Sequence, residues 1–317
     1  MTEEATPRER ILAARINISQ SKQATKDFTS LIEKNEHGAF NIQSSESYHA
    51  TEFYNFNSKE PSMLLSRSLL KNLDTNPEQW AAGKKFKRNK TIDMGSLLDA
   101  AMLEVAALKE FVFLDESIKN FTTKAAREAR DSAYANNQMP ILHKDLEILL
   151  GSLMQTNMSD DCKDMLKGAT TCVSMIGRLE GTPMKGLLDI VPAPDGKYGD
   201  GLTDLKRTGM FLPNDFRRNV LNLKYHWQAA IYLDLWNSWC QVMTRPDLMR
   251  HKWYFLIVQD SYPFGVGVAQ LDPALVDEGR EQYKAAIRRA NKHLSSGIFP
   301  NPYQYGEITT IGFPPKK

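Results

Sequence analysis

Residues 185–208 read KGLLDIVPAPDGKYGDGLTDLKRT, and no other stretch restricts the fold as much. Two apolar runs of strand length each carry one carboxylate, Asp189 and Asp204, and Lys206 follows the second at a spacing of two. Side chains alternate along a strand, so Asp204 and Lys206 share a face and Leu205 takes the other. The intervening PAPDGKYGDG holds Asp-Gly turn chemistry, and a meander through it sets Asp189 on the neighbouring strand. A carboxylate inside an apolar run is costly unless it is paired or bound to a metal. The chain must therefore bring these groups together. Asp195 and Asp200 read as turn residues.

The remaining pattern gives the context. A helix is expected over residues 8–34, followed by an irregular connection over 35–60. PSMLLSRSLLKNL begins a short helix with Ser62 as its candidate cap. Further helices are expected from Asp93 or Gly95, over 115–137 and over 141–168. TTCVSMIGRLEGTPMKGLLDIV and GLTDLKRT then favour strands. LKYHWQAAIYLDLWNSWCQVM is a helix with a broad apolar face, on which Trp227, Ile231, Leu235 and Trp239 mark core or a subunit contact. KWYFLIVQ and FGVGVAQL are two more strands, and PALVDEGREQYKAAIRRANKHL is a closing helix. The order predicts an α/β (α+β) domain with a helical N-terminal part. It divides into an N-terminal helix with an irregular extension, 1–60, and one domain, 61–317.

Hydrophobic content of 42% and a net charge of +2 fit an ordinary globular chain and exclude a polycation. Any nucleic-acid contact needs local positive charge, and GKKFKRNK places five basic residues between Lys84 and Lys90. The three cysteines, Cys162, Cys172 and Cys240, form no CxxC pair, so neither a zinc ribbon nor an iron–sulfur cluster is expected. No apolar run approaches the roughly 18 residues of a membrane span, and the first residues lack a signal-peptide core. A cytoplasmic protein is expected. Paired carboxylates on strands suit Mg²⁺, a hard ion that keeps several waters and also takes phosphate oxygens. Lys206 would orient water and steady charge on a phosphate, and Glu180, on the preceding segment, offers a third carboxylate. An isolated Asp-x-Lys can equally be an exposed ion pair of little consequence.

Five short motifs stand in a fixed order: Ser66 to Lys71 (SRSLLK), Gly95 to Glu104, Lys185 to Asp189 after Glu180, Asp204 to Lys206, and Gln228 to Tyr232. Together they resemble the PD-(D/E)XK nuclease superfamily, and within it the RecE-type (exonuclease VIII-like) branch of phages and prophages. The likeness runs over about residues 60 to 300. It implies a restriction-endonuclease-like core, with a mixed central sheet flanked by helices. It also implies a site in which Asp189, Asp204, the Leu205 carbonyl and Asp99 hold Mg²⁺ or Mn²⁺ while Lys206 and Glu180 assist water attack. Asp99 stands where the branch usually has histidine. By the same resemblance Arg67 and Gln228 grip a phosphate, with Lys71 and Lys185 as further DNA contacts. Tyr232 reads as core and His226 as structural.

The implied activity is exonucleolytic: hydrolysis of linear double-stranded DNA from its ends, 5′ to 3′, leaving 3′ single strands for recombination. A single-strand annealing protein and a homo-oligomer are the implied partners, in a bacterial or phage-infected cell. Two alternatives remain open at this stage. One is an endonuclease of the same fold acting on branched or specific DNA. The other is a DNA-binding module whose site has weakened at Asp99.

Overall fold

The computed structural model describes residues 5–16, 48, 53–54, 62–83 and 90–301. The elements in chain order are α1 (Pro7–Ala14), β1 (Phe53–Tyr54), β2 (Ser62–Met63), β3 (Leu65–Ser66), α2 (Arg67–Thr75), α3 (Pro77–Ala81), α4 (Lys90–Met102), β4 (Phe111–Phe113) and α5 (Lys124–Ala135). There follow β5 (Met139–Ile141), α6 (His143–Met158), α7 (Asp160–Leu166), β6 (Thr170–Leu179), β7 (Thr182–Val191), β8 (Gly201–Thr208), α8 (Pro213–Asn222), α9 (Tyr225–Val242), β9 (Lys252–Gln259), β10 (Val266–Gln270) and α10 (Pro273–Ser296). The helix expected over 8–34 ends at Ala14, where Arg15 turns to an extended backbone; the part after residue 16 lies outside the described residues, as do most of the Lys84–Lys90 run and the tail beyond 301.

The central sheet is mixed, in the order β10-β9-β8-β7-β3 with β6 also on β7. β8 and β9 are parallel, while β9–β10, β7–β8 and β6–β7 are antiparallel. Both faces are covered, which is why β9 reads as an unbroken apolar run. Trp253, Phe255 and Ile257 point to one core, with α2, α8, α9 and α10. Tyr254, Leu256 and Val258 point to the other, with α1, α4, α6 and α7. Trp227, Ile231, Leu235 and Trp239 all belong to the first core, so that stripe is core packing.

Several expectations shift. Ser66, not Ser62, caps α2: its hydroxyl accepts from the Leu69 amide at 3.3 Å. Residues 62–66 are extended instead, because Leu65 and Ser66 pair in parallel with Met184 and Lys185. The helix expected over 115–137 begins only at Lys124, where the Thr123 side chain accepts from Ala126. Residues 141–168 hold two helices, parted at Ser159, which caps the second by accepting from Cys162. Residues 192–200 form the long turn between β7 and β8, and Asp200 closes it by pairing with Lys252 at 2.7 Å.

β7 has an unusual edge. One side pairs with β6 along its length. The other side is shared: β8 pairs at Ile190–Thr203, and β3 pairs at Met184–Lys185. Between these two contacts the sheet forks.

Candidate active site

The fork is where the charged residues meet. The Ile190–Thr203 pair sets Asp189 opposite Asp204, one antiparallel step further on. There the ladder changes character. The Leu205 amide donates to the Asp189 side chain (Oδ2, 2.8 Å) rather than to a backbone carbonyl. The carboxylate thus closes the last rung and holds β8 as it leaves β7.

Asp204 is buried, and each of its oxygens has a different neighbour. Gln228, in the first turn of α9, donates from Nε2 to Oδ1 at 2.6 Å. The Lys206 ammonium forms an ion pair with Oδ2. Lys206 also reaches the Leu205 carbonyl at 3.4 Å. Arg67, delivered by β3 to the open side of the fork, donates to Gln228 Oε1 at 2.8 Å and to the Leu223 carbonyl at 3.3 Å. Arg67 and Lys206 both lie against the Tyr225 ring, at 5.6 and 4.9 Å from its centroid.

Electrostatics bind the carboxylates together. Burial pushes Asp189 well above the usual carboxylate range, and the charges of Asp204 and Asp99 push it further against Lys206 and the Leu205 amide. Burial raises Asp99 to about 7, with Lys206 opposing and Asp204 adding to the rise. Burial opposes charge on Lys206 as well, yet Asp204, Asp189 and Tyr225 together hold its proton more tightly than usual. Asp99, on α4, thus belongs to the same electrostatic unit as the two strand carboxylates.

Of the residues expected here, Glu180 lies elsewhere and Lys185 is engaged within the fold. Glu180 occupies the two-residue hairpin between β6 and β7 with a left-handed backbone, φ 49°. From the start of β7 at Thr182 to Asp189 the strand alone runs roughly 23 Å at the usual rise, and Glu180 lies beyond that start. It pairs with Lys284 and Arg288 of α10, at 3.6 and 3.8 Å. Lys185 is buried and donates to the Tyr48 carbonyl at 2.9 Å, with its ammonium 4.6 Å from the Tyr48 ring centroid. It braces the fold at Tyr48. Lys71 is half-buried on α2. Burial, then Arg67 and Lys224, lower its affinity for the proton, so these two cations lie near enough to repel its charge.

Tyr225, Glu104 and Cys172 were not among the residues expected in the site. Tyr225 stands three residues before Gln228 on one helix, the spacing of side chains that share a face. Cys172 has a left-handed backbone, φ 54°. Burial, followed by Glu104, Asp189 and Asp99, raises its thiol pKa, so it lies against the carboxylates. Tyr232 and His226 are structural, as expected. Tyr232 packs edge-on against Trp253, and His226 sits between the Val220 carbonyl and Gln282.

A hard divalent ion asks for a set of oxygen donors. Among the described residues no group of three or more His, Cys, Asp or Glu is gathered closely enough to hold a metal alone. Asp189, Asp204 and the Leu205 carbonyl nevertheless make an all-oxygen partial set. Their mutual repulsion is what a cation relieves, and Mg²⁺ needs only a few protein ligands because it keeps its waters. The residues fit such an ion.

The forked mixed sheet, two carboxylates and following lysine define a nuclease-type fold of the PD-(D/E)XK kind. The chain belongs to the family described as PDDEXK-like domain of unknown function (DUF3799), which matches residues 66–307. A crystal structure from Eubacterium rectale, designated "Putative exonuclease", is similar with a TM-score of 0.53 at 12% identity, covering 79% of this chain and 91% of that one. At that identity the likeness shows the fold alone. Protein VC1899 from Vibrio cholerae aligns over 72% of this chain and 58% of its own at 13% identity, but its TM-score of 0.20 carries no argument. No curated protein matches. No described helix is long and apolar enough to cross a membrane.

Proposed function

We propose that the chain is a divalent-metal-dependent deoxyribonuclease that degrades linear double-stranded DNA from its ends, 5′ to 3′, and leaves 3′ single strands for recombination by annealing. The observation that carries this reading is the fork itself. Asp189, Asp204 and Lys206 meet beside Gln228 and Arg67, with Lys71 close to Arg67. Buried carboxylates draw a cation, and the crowded cations draw a phosphate. The designation of the Eubacterium rectale protein supports exonuclease over endonuclease action. A homo-oligomer and a single-strand annealing partner complete the reading.

Asp189, Asp204 and the Leu205 carbonyl would hold Mg²⁺ or Mn²⁺, with Asp99 as the further carboxylate. A bound ion supplies a polarised phosphoryl oxygen and a more acidic water. The protein's own groups do the rest. Lys206, kept protonated by two carboxylates, steadies negative charge at the phosphate. Arg67 offers guanidinium donors suited to phosphate oxygens. Gln228 fixes the plane of the Asp204 carboxylate, acting as a positioning residue between Arg67 and Asp204.

The test is nucleotide release from linear duplex DNA labelled at one end, with Mg²⁺ or Mn²⁺, beside covalently closed circles and the Lys206→Ala variant. Release from the linear form only, abolished by the substitution, is expected. No release with either metal would sink the proposal, and equal cutting of circles would replace exonuclease with endonuclease action.

A further inference from the structure

The polar contacts of the fork form a closed circuit. Lys206 pairs with Asp204, Asp204 accepts from Gln228, and Gln228 accepts from Arg67. Arg67 lies over the Tyr225 ring, and the same ring receives Lys206. The ring also packs near the buried Phe255, with centroids 6.1 Å apart and planes tilted by 44°. Two cations therefore rest against one aromatic ring, and one of them, Lys206, is paired with Asp204. Lys206 has three contacts: Asp204 Oδ2, the Leu205 carbonyl and Tyr225. A divalent ion that engages Asp204 and the Leu205 carbonyl leaves the aromatic face as the contact that remains.

We propose that Tyr225 is a positioning residue: its ring gives the Lys206 ammonium a second resting place, which frees Asp204 for a divalent ion while keeping the lysine beside the site. The inference rests on the nuclease reading for its consequence but makes a claim about metal binding alone. A ring lacking its hydroxyl presents the same face, and an aliphatic side chain presents none. Without the ring, the ammonium falls back on the carboxylates, Asp204 first, and competes harder with an incoming ion.

Mn²⁺ binding to the full chain, measured by calorimetry without DNA, tests this. Tyr225→Leu should weaken binding about fivefold, the size of one partly desolvated cation–π contact. Tyr225→Phe should bind as the wild type does. In a Lys206→Met background, Tyr225→Leu should change nothing, because no ammonium remains to be rehoused. Equal weakening in both backgrounds would mean a general structural role and overturn the inference. So would no weakening in the wild-type background, or a Phe variant as impaired as the Leu variant. If Tyr225→Leu fails to fold, Tyr225→Met makes the same comparison. A chain that binds Mn²⁺ with this coupling yet releases no nucleotide refutes the nuclease reading alone. A chain that cuts DNA while Tyr225→Leu is silent refutes the inference alone, and one that binds no Mn²⁺ refutes both.

Discussion

Gly186 tests the packing beneath the site. A Cβ at this position in β7 would lie 2.8 Å from Tyr232 Cε1, 3.0 Å from Cδ1 and 3.3 Å from Met175 Cε. The methionine end can yield, but the ring cannot retreat easily, because its other side meets Trp253 with centroids 5.9 Å apart. Inserting a methyl group into such a core costs about 1–3 kcal/mol. Taking about 2 kcal/mol, and about 2–4 °C per kcal/mol for an ordered body of this size, Gly186→Ala should lower Tm by about 4–8 °C. Thermal melting by circular dichroism checks the shift, and a urea midpoint that falls at constant slope checks its cause. Tyr232→Leu removes the obstructing ring, so the cost of Gly186→Ala in that background should shrink by about 1 kcal/mol or more. Tyr232→Phe keeps both obstructing carbons and should not relieve it. A cost under about 0.5 kcal/mol in the wild type, or one unchanged by Tyr232→Leu, would refute the packing argument.

Glu180→Gln should leave nuclease activity and Tm unchanged, since its partners Lys284 and Arg288 are solvent-facing ion pairs; a large activity loss would restore it to the site. Lys185→Met should cost about 1–3 kcal/mol, because the Tyr48 carbonyl loses its buried donor, with no change in DNA affinity. Chemical denaturation and DNA titration of the same variant separate the two effects. In EDTA, stability should fall as pH rises from about 5 to 7. The folded Asp99 carboxyl titrates at about 7 against 3.8 when free, so over that window the folded chain binds more protons than the unfolded one. Asp189 shifts in the same direction. Tm measured against pH should show the fall, and Asp99→Asn should flatten it; a Tm that rises across the window contradicts the assignment.

The strands and helices that carry the site were legible because their constraints are local. Period-two alternation put Asp204 and Lys206 on one face, and both core-facing runs of β9 showed as an apolar string. Glu180 was misread although its sequence held the answer. Glu-Gly between two strand-like runs is a two-residue hairpin, and both residues take positive φ, 49° and 74°. That places the side chain at the tip, far from the charges. α8 was missed despite Pro213 at its first position, Asp215 in its first turn and buried Phe216 and Val220 one turn apart. β3 was beyond reach for a different reason. A strand of two residues has no period of its own and exists because β7 leaves an edge open to it.

That open edge explains why the motifs occur together. β7 must give its edge to β8 at Ile190 and to β3 at Met184, so the intervening residues face a gap with no strand partner on that side. Gly186 lies in that interval and lets the Tyr232 ring approach the strand. Tyr232 sits one helical turn beyond Gln228, so seating the ring on Gly186 sets Gln228 over Asp204. β3 ends at Ser66, which caps α2, and the next residue is Arg67, aimed at Gln228 from the far lip of the gap. Asp189 finishes the rung that β8 leaves unpaired. The glycine, the glutamine and tyrosine one turn apart, the serine–arginine pair and the two aspartates are thus parts of one device. Each either opens the sheet or occupies the opening. A substitution that closes the fork should disable the site without touching a carboxylate.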